Sequence, residues 1–402
     1  MKWFTLTSAA IFLCSSAAKA QIYADFSTSM GDFTCELNYT VAPKTVANFV
    51  TLAEGTRKWV SPAGVIQENK PFYNGLIFHR VVANFMNQAG CPLGTGGGGP
   101  GYNFPDETVG GPVHSPYVIS MANASGYTNG SQFFVTVPRN PTDNFEHLDG
   151  MHTVFGVVTS GRDVVDQINA VAVTAWKPNT PVVLQSVTIR RVGTAATAFD
   201  VHGQNLPELQ PTPYDLDLDL PTLVQAVPRM PRDERVTTST YVSEDLETWE
   251  LATQDYAGLG GPGNVPFPIA VPYGFGQYPE KQFYRFADAV NSDAFIPASL
   301  SGKTLTVNWP GNSLILTFNA AGDGGTAVFN GETTPREIDH VYESHSPYDL
   351  IVEIPGLVPL KISASLTGST PTTNLGTHKL CGYSYQSSAW FFAGLGTVSI
   401  TK

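Results

Sequence analysis

From Ile22 to about Val192, hydrophobic and polar residues alternate in short runs, and two stretches break that rhythm with a helical period. In "PKTVANFVTLAEG" (residues 43–55), Val46, Phe49, Val50 and Ala53 recur at i, i+3, i+4 and i+7. Pro43 stands ahead of them and Gly55 behind, so the pattern predicts an amphipathic helix with one buried face. "SGRDVVDQINAV" (160–171) predicts a second, with Ser160 and Asp163 at capping-box spacing and Val164, Val165 and Ile168 as its apolar face. The alternation predicts strands near 22–27, 32–38, 76–82, 117–121, 132–137, 153–158 and 183–191. Many strands and only two helices imply a mainly β fold, a closed barrel with helical plugs.

Past Val192 the pattern changes. Residues 196–235 are rich in proline with little sustained periodicity and read as a linker or extended strap. Within them "DLDLDL" (215–220) alternates, as an edge strand with Asp215, Asp217 and Asp219 facing water would. Calcium binding is the sharper alternative there, but adjacent carboxylates on one strand face rarely complete an oxygen cage. Residues 236–292 form a small β module, from "TTSTYVSEDLETWELA" to "EKQFYRFADAV". It resembles short modules repeated in exported proteins of some environmental bacteria. Residues 293–402 contain "KTLTVNW", "SLILTFN", "LIVEI", "LKISASL" and "GTVSITK", all at period two, and predict a C-terminal all-β domain with no catalytic signature.

Composition narrows the function classes. The 402 residues leave room for two or three domains, and 38 glycines with 30 prolines fit many turns between short strands. A formal net charge of −12 argues against nucleic acid or an anionic membrane surface as partner, since both need clustered Lys and Arg. Residues 1–20, "MKWFTLTSAAIFLCSSAAKA", have the layout of a secretory signal peptide: a basic start, an apolar stretch, and Ala18-Lys19-Ala20 before the cut. The mature chain then begins near Gln21 and is exported to the periplasm, the cell surface or the medium. A lipoprotein reading through Cys14 is weaker, because Leu13 before it is bulky. No later run of about eighteen apolar residues reads as a transmembrane helix. Cys35, Cys91 and Cys381 remain, scattered and odd in number, either with one Cys35–Cys91 bridge or as buried or free thiols, the second being favoured.

One stretch carries candidate chemistry. "GLIFHRVVANFMNQAG" (75–90) places Arg80 and Gln88 among Phe78, Val82, Phe85 and Met86, and burying such polar groups unpaired is costly. Other readings of the neighbouring motifs are poorer. The glycine run 94–101 lacks the Lys-Ser/Thr end of a phosphate cradle. His79, His147 and His152 have no metal-ligand spacing, and Ser131 has no nucleophile elbow or paired base.

"FHRVVANFMNQAG", "GTGGGGPGYNFPDE" (94–107), "VISMANASGYTNGSQFFVTV" (118–137) and "HLDGMHTVFGVV" (147–158) together closely resemble the cyclophilin family of peptidyl-prolyl cis–trans isomerases, over about residues 22–192. The resemblance implies an eight-stranded antiparallel barrel capped by two helices, spanning 21–195, and catalysis of X–Pro rotation in exported or partly unfolded chains. Rotation about a peptide bond is opposed by about 18–20 kcal/mol, so an enzyme need only bind the twisted amide better than either planar isomer. By resemblance, Arg80 donates to the proline nitrogen as it turns pyramidal, Gln88 holds the substrate carbonyl side, and Asn123 contacts the peptide backbone. Phe85, Met86, Phe134 and Leu148 then form the proline pocket with His152 at its rim, while Ala122 and Gln132 line the adjoining groove. No cofactor or metal is implied, and the partners are proline-containing polypeptides.

Three departures stand out. His147 occupies a position where many cyclophilins have Trp, which puts cyclosporin affinity in doubt. Ala89 replaces a glycine, where its methyl would tighten a turn. The insertion-like 57–75 would shape access to one side of the groove. Two other functions compete with the isomerase. One is a non-catalytic module that binds proline loops and is tethered through its β domains. The other is carbohydrate or surface contact by the C-terminal domain through Trp309, Tyr342, Tyr383, Tyr385 and Trp390.

Overall fold

The alternation from Ile22 to Val192 becomes, apart from two short hairpins, one antiparallel sheet in the computed structural model. The structure describes residues 20–124, 128–139, 144–211, 214–218, 224–228, 236–243, 245–256, 267–269, 283–290, 302–309, 311–321, 324–338, 340–343, 349–353, 360–369, 373–384 and 389–401. The predicted leader, with Cys14, lies outside the described residues, Ala20 apart. In chain order the first region runs β1 (Gln21–Thr28), β2 (Gly31–Leu37), α1 (Pro43–Glu54), β3 (Trp59–Val60), β4 (Ile66–Gln67), β5 (Leu76–Ile77), β6 (Arg80–Val82) and β7 (Met86–Ala89). It continues with β8 (Val118–Met121), β9 (Phe133–Thr136), β10 (Val154–Ser160), α2 (Arg162–Asn169), β11 (Val173–Thr174), β12 (Lys177–Pro178) and β13 (Val183–Val192).

The main sheet has the order β5-β13-β1-β2-β10-β8-β9-β7-β6. Its two ends, β5 and β6, are the halves of the single strand expected over 76–82, broken at Phe78 and His79. Counted as one strand they close an eight-stranded barrel. Phe26, Phe33, Phe49, Phe133 and Phe155 fill it, each 2% exposed or less. Phe26 stacks on Phe33 at 4.4 Å, and Phe49 meets Phe133 edge-on at 5.6 Å.

Helix α1 differs from its expectation in an instructive way. Its polar side is buried as well, including Thr45, Asn48 and Thr51. Asn48 donates to the Gly130 carbonyl (2.8 Å) and accepts from the Tyr102 hydroxyl (2.8 Å), so the polar face is sealed by loops rather than by water. Ala42 supplies no side-chain cap, and the Glu107 carboxylate serves instead, accepting from the Lys44 and Thr45 amides at 3.0 and 2.7 Å. Gly55 closes the helix in the left-handed conformation. Helix α2 lacks the expected capping box, because Ser160 ends strand β10 and Gly161 at φ 74° takes the N-cap position. Cys35 and Cys91 are buried free thiols, so the bridge between them is not formed.

The stretch read as a linker carries order of its own. A short helix, Thr194–Thr197, is followed by the strand Glu208–Gln210, which pairs with Phe283–Val290. With Val236–Ser243 and Glu250–Tyr256 these make a four-stranded antiparallel sheet. "DLDLDL" falls largely in the strand Tyr214–Leu218 at the edge of a three-stranded sheet, with Asp219 outside the described residues. The 57–75 segment folds as the β3–β4 hairpin and contacts the four-stranded module: Arg285 donates to the Ala63 carbonyl at 2.5 Å, and Arg57 to that of Pro207 at 2.7 Å. A Cβ on Gly64 would lie 2.8 Å from the Tyr241 ring.

The C-terminal region is a second nine-stranded antiparallel sheet. Strands 304–309, 312–318, 325–329 and 336–338 run outward on one side, and 389–401, 373–384, 360–369, 349–353 and 340–343 on the other. They join where 304–309 pairs with 389–401. Tyr385 lies outside the described residues, and the side chains of Trp309, Tyr342, Tyr383, Trp390 and Cys381 are likewise not described.

Candidate active site

Strand parity explains why an arginine and a glutamine interrupt an apolar run. Successive residues of a strand face opposite sides. In the ladder β6-β7-β9-β8, Arg80 pairs with Gln88, Gln88 with Phe134, and Phe134 with Ser120. Val81, Asn87, Val135 and Ile119 form the next row, nearly fully buried, with Val81, Val135 and Ile119 in the barrel core. Arg80, Gln88 and Phe134 therefore lie side by side on the outer face, joined by Met86 and Val82. A one-residue slip of β7 would send Gln88 into the core and break the row. Ala89 lies within strand β7 opposite Phe133 rather than in a turn, and its methyl is fully buried in the core.

The row is a connected polar system at one end and an apolar pocket at the other. Arg80 Nη1 donates to Gln88 Oε1 at 3.2 Å, and Gln88 Nε2 donates to Gln132 Oε1 at 3.0 Å. Gln132 Nε2 is held by the carbonyls of Gly96 (2.7 Å) and Gly98 (2.8 Å), so the glycine run is a clamp for this chain of amides. Among the described residues no carboxylate pairs with Arg80. Burial lowers its pKa, yet a guanidinium remains a cation throughout the physiological range. His79 beside it is pulled down to about 4 by burial and by the Arg80 charge, and stays neutral.

Met86, Phe134, Phe145 and Leu148 make a compact apolar cluster, with Val82, Phe85 and Ala122 packed against it. Phe85 lies 6.1 Å from Phe145 and 5.8 Å from the exposed His147. The His152 ring stands edge-on to Phe134 at 5.6 Å, with Nδ1 3.1 Å from the Met121 carbonyl. Asn123 uses its side-chain NH₂ internally, on Asp106 Oδ1 (3.0 Å) and the Met151 carbonyl (2.9 Å).

Several residues at the site were not anticipated. Phe145 completes the pocket, and the Arg139 guanidinium lies 4.7 Å from the centroid of Phe85. His114 stacks on Phe134 at 5.9 Å with planes 8° apart, fixed by Asp149 Oδ1 on Nδ1 (2.7 Å) and Ser120 Oγ on Nε2 (2.9 Å). Burial lowers the His114 pKa against the opposing pull of Asp149. Trp176 lies over Arg80, with 5.2 Å from Cζ to the ring centroid. All four sit in turns or loops, where no period announces them. Only the spacing of Phe145 from Leu148 in "FEHL" hinted at a shared face.

The outer face thus carries a guanidinium without a carboxylate partner among the described residues, held beside Gln88 and next to an apolar cup, an arrangement that suits a ligand with an apolar group adjoining a hydrogen-bond acceptor. Residues 23–194 match the family profile described as cyclophilin type peptidyl-prolyl cis-trans isomerase/CLD. Peptidyl-prolyl cis-trans isomerase B of Streptomyces anulatus is 47% identical over 177 residues, covering 43% of this chain and 95% of that protein. Probable peptidyl-prolyl cis-trans isomerase A of Mycobacterium leprae is 45% identical over 171 residues, or 40% of this chain and 88% of the relative. A solved cyclophilin type isomerase of Cryptosporidium parvum, crystallised in the presence of the dipeptide ala-pro, is 27% identical and covers 42% of this chain and 98% of its own, at a TM-score of 0.34.

Proposed function

Because the chain belongs to the cyclophilin-type peptidyl-prolyl cis-trans isomerases, we propose that Arg80 is its catalytic group and that its substrates are X–Pro bonds of exported or partly unfolded polypeptides. The observation that carries this reading is the cross-strand row Arg80–Gln88–Phe134 on the outer face. A proline ring seated against Phe85, Met86, Phe134 and Leu148 brings its nitrogen toward Arg80. As the C–N bond twists, conjugation is lost and the nitrogen gains a lone pair. Arg80 donates to that lone pair, an interaction absent from either planar isomer, so it lowers the barrier rather than merely tightening binding. Gln88 holds the guanidinium edge and the carbonyl side of the bond, and the Asn123 backbone and Gln132 guide the flanking peptide. The proton stays on Arg80, since a guanidinium does not deprotonate at working pH.

Export is supported by the leader layout at residues 1–20, with a mature terminus near Gln21; mass spectrometry showing that the protein keeps its leader intact from Met1 would refute it. The catalytic assignment is tested by isomerisation of a short X–Pro peptide with the intact protein and Arg80→Ala. Loss of a single transition-state donor predicts a fall in kcat/KM of about a hundredfold or more, with the fold retained. A folded intact protein without activity would instead mark a module that holds proline loops without turnover.

A further inference from the structure

Strands β11 and β12 pair Val173 with Pro178 and Thr174 with Lys177, leaving Ala175 and Trp176 as a two-residue turn. A two-residue turn of the type I′ form seen here has left-handed backbone at both positions and so favours Asn and Gly. Here Ala175 has φ 48° and Trp176 φ 65°, both unfavourable for residues with a Cβ. The Trp176 side chain is not there to fill the core either, since it is 57% exposed, the most exposed aromatic among the large hydrophobic residues of the described chain. A strained backbone carrying an exposed indole needs a reason outside folding. The turn is anchored to the catalytic strand, with the Val81 amide donating to the Trp176 carbonyl at 2.7 Å, and the ring lies over the Arg80 guanidinium at 5.2 Å.

We propose that Trp176 is a positioning and specificity-determining residue for the isomerase reaction. One face of its ring holds the Arg80 plane, and the remaining surface forms a subsite for an apolar or aromatic substrate side chain beside the prolyl bond. A carboxylate partner would fix Arg80 by occupying its N–H donors. An aromatic face attracts the guanidinium through its quadrupole and leaves the edge donors for Gln88 and the substrate. His147 is exposed at the other end of the site, 5.8 Å from Phe85, so this chain places its exposed indole on the Arg80 side and an imidazole at the pocket rim.

The proposal rests on Arg80 being the catalytic group, and the experiment keeps the two apart. Full-length wild type, Arg80→Ala, Trp176→Gly and Trp176→Phe are compared on X–Pro peptides that carry Phe, Gly or Glu on either side of the bond, with thermal unfolding followed in parallel. Glycine suits the turn, so Trp176→Gly should unfold no earlier than wild type while kcat/KM on the Phe-flanked peptides falls about three- to tenfold. The loss should be smaller on the Gly and Glu peptides, and Trp176→Phe should recover most of it. Wild-type kcat/KM in Trp176→Gly, equal loss on every peptide, no recovery with Phe, or a fall in melting temperature matching the loss would each overturn the proposal. Undiminished activity in Arg80→Ala would instead overturn the catalytic assignment on which it rests.

Discussion

The first and last sheets of this chain each count nine antiparallel strands, and their connections bring residues together differently. In the C-terminal sheet all neighbours but one pair are consecutive in the chain, so each strand meets what its own turn delivers. In the barrel β7 lies between β6 and β9, and β10 between β2 and β8, so distant residues share a row. Gln88 reaches Gln132 across 44 residues, and Arg80, Gln88 and Phe134 come from three strands. A meander makes surfaces. Convergence of a guanidinium, an amide and an aromatic pocket takes crossed connections, and closure of the sheet gives that row a rigid back.

The sharpest way to break the contrast is at Phe134. It is 5% exposed and shared by the polar row and the pocket. Phe134→Ala should reduce kcat/KM by about a hundredfold and cost about 3–5 kcal/mol of barrel stability, measured by peptide isomerisation and urea unfolding. Equal activity in the variant would mean that the pocket is not where proline binds. The counterpart in the second sheet is Leu305, fully buried on the strand 304–309. Leu305→Ala should cost about 2–5 kcal/mol in a C-terminal transition and leave kcat/KM unchanged. Activity falling with it would show that the meander supports the site.

A third test uses two histidines near the groove whose burial disfavours the charged form. His79 has a folded pKa of about 4 and His114 one below its ordinary value, both through burial. As pH falls below about 6.5 the unfolded chain takes up protons at these positions more readily than the folded chain, so stability falls with pH. For His79 the loss runs from about 6.5 down to its folded value. Urea midpoints from pH 7 to 4 should fall, and His79→Gln should flatten the slope. An unchanged slope would place the acid sensitivity elsewhere.

How much of this was legible in the sequence depends on how local the cause is. Strands β1, β2, β10 and β13 were visible because their alternation is local, and so was α1. Arg80 and Gln88 were visible as polar residues in an apolar run. Their adjacency was not, because register between β6, β7 and β9 is set by packing over long separations. Strand β7, "MNQA", was not predicted from period, since Met86 and Asn87 are both buried on opposite faces. The burial of Asn48 and Thr51 on the polar side of α1 depends on loops that no helical wheel contains. His114, Phe145 and Trp176 act from loops and turns, where side-chain direction follows backbone conformation rather than a repeating pattern.

The smallest expected effect separates two arginines of the barrel. Arg191 on β13 makes a two-pronged pair with Glu54 at the end of α1, Nη1–Oε1 2.6 Å and Nη2–Oε2 3.0 Å. Its pKa is raised by that pairing. Arg80 has the same head group, no such carboxylate among the described residues, and a ring face instead. Partial exposure limits the Arg191–Glu54 pair to about 1 kcal/mol, so Arg191→Ala should lower stability by about that much and leave kcat/KM as it was. Arg80→Ala should do the reverse, losing turnover with little change in unfolding. The two variants together distinguish a cation placed to hold the fold from one kept unneutralised for a reacting nitrogen. If both lost stability alike, Arg80 would be a structural residue and the row on the outer face a by-product of packing.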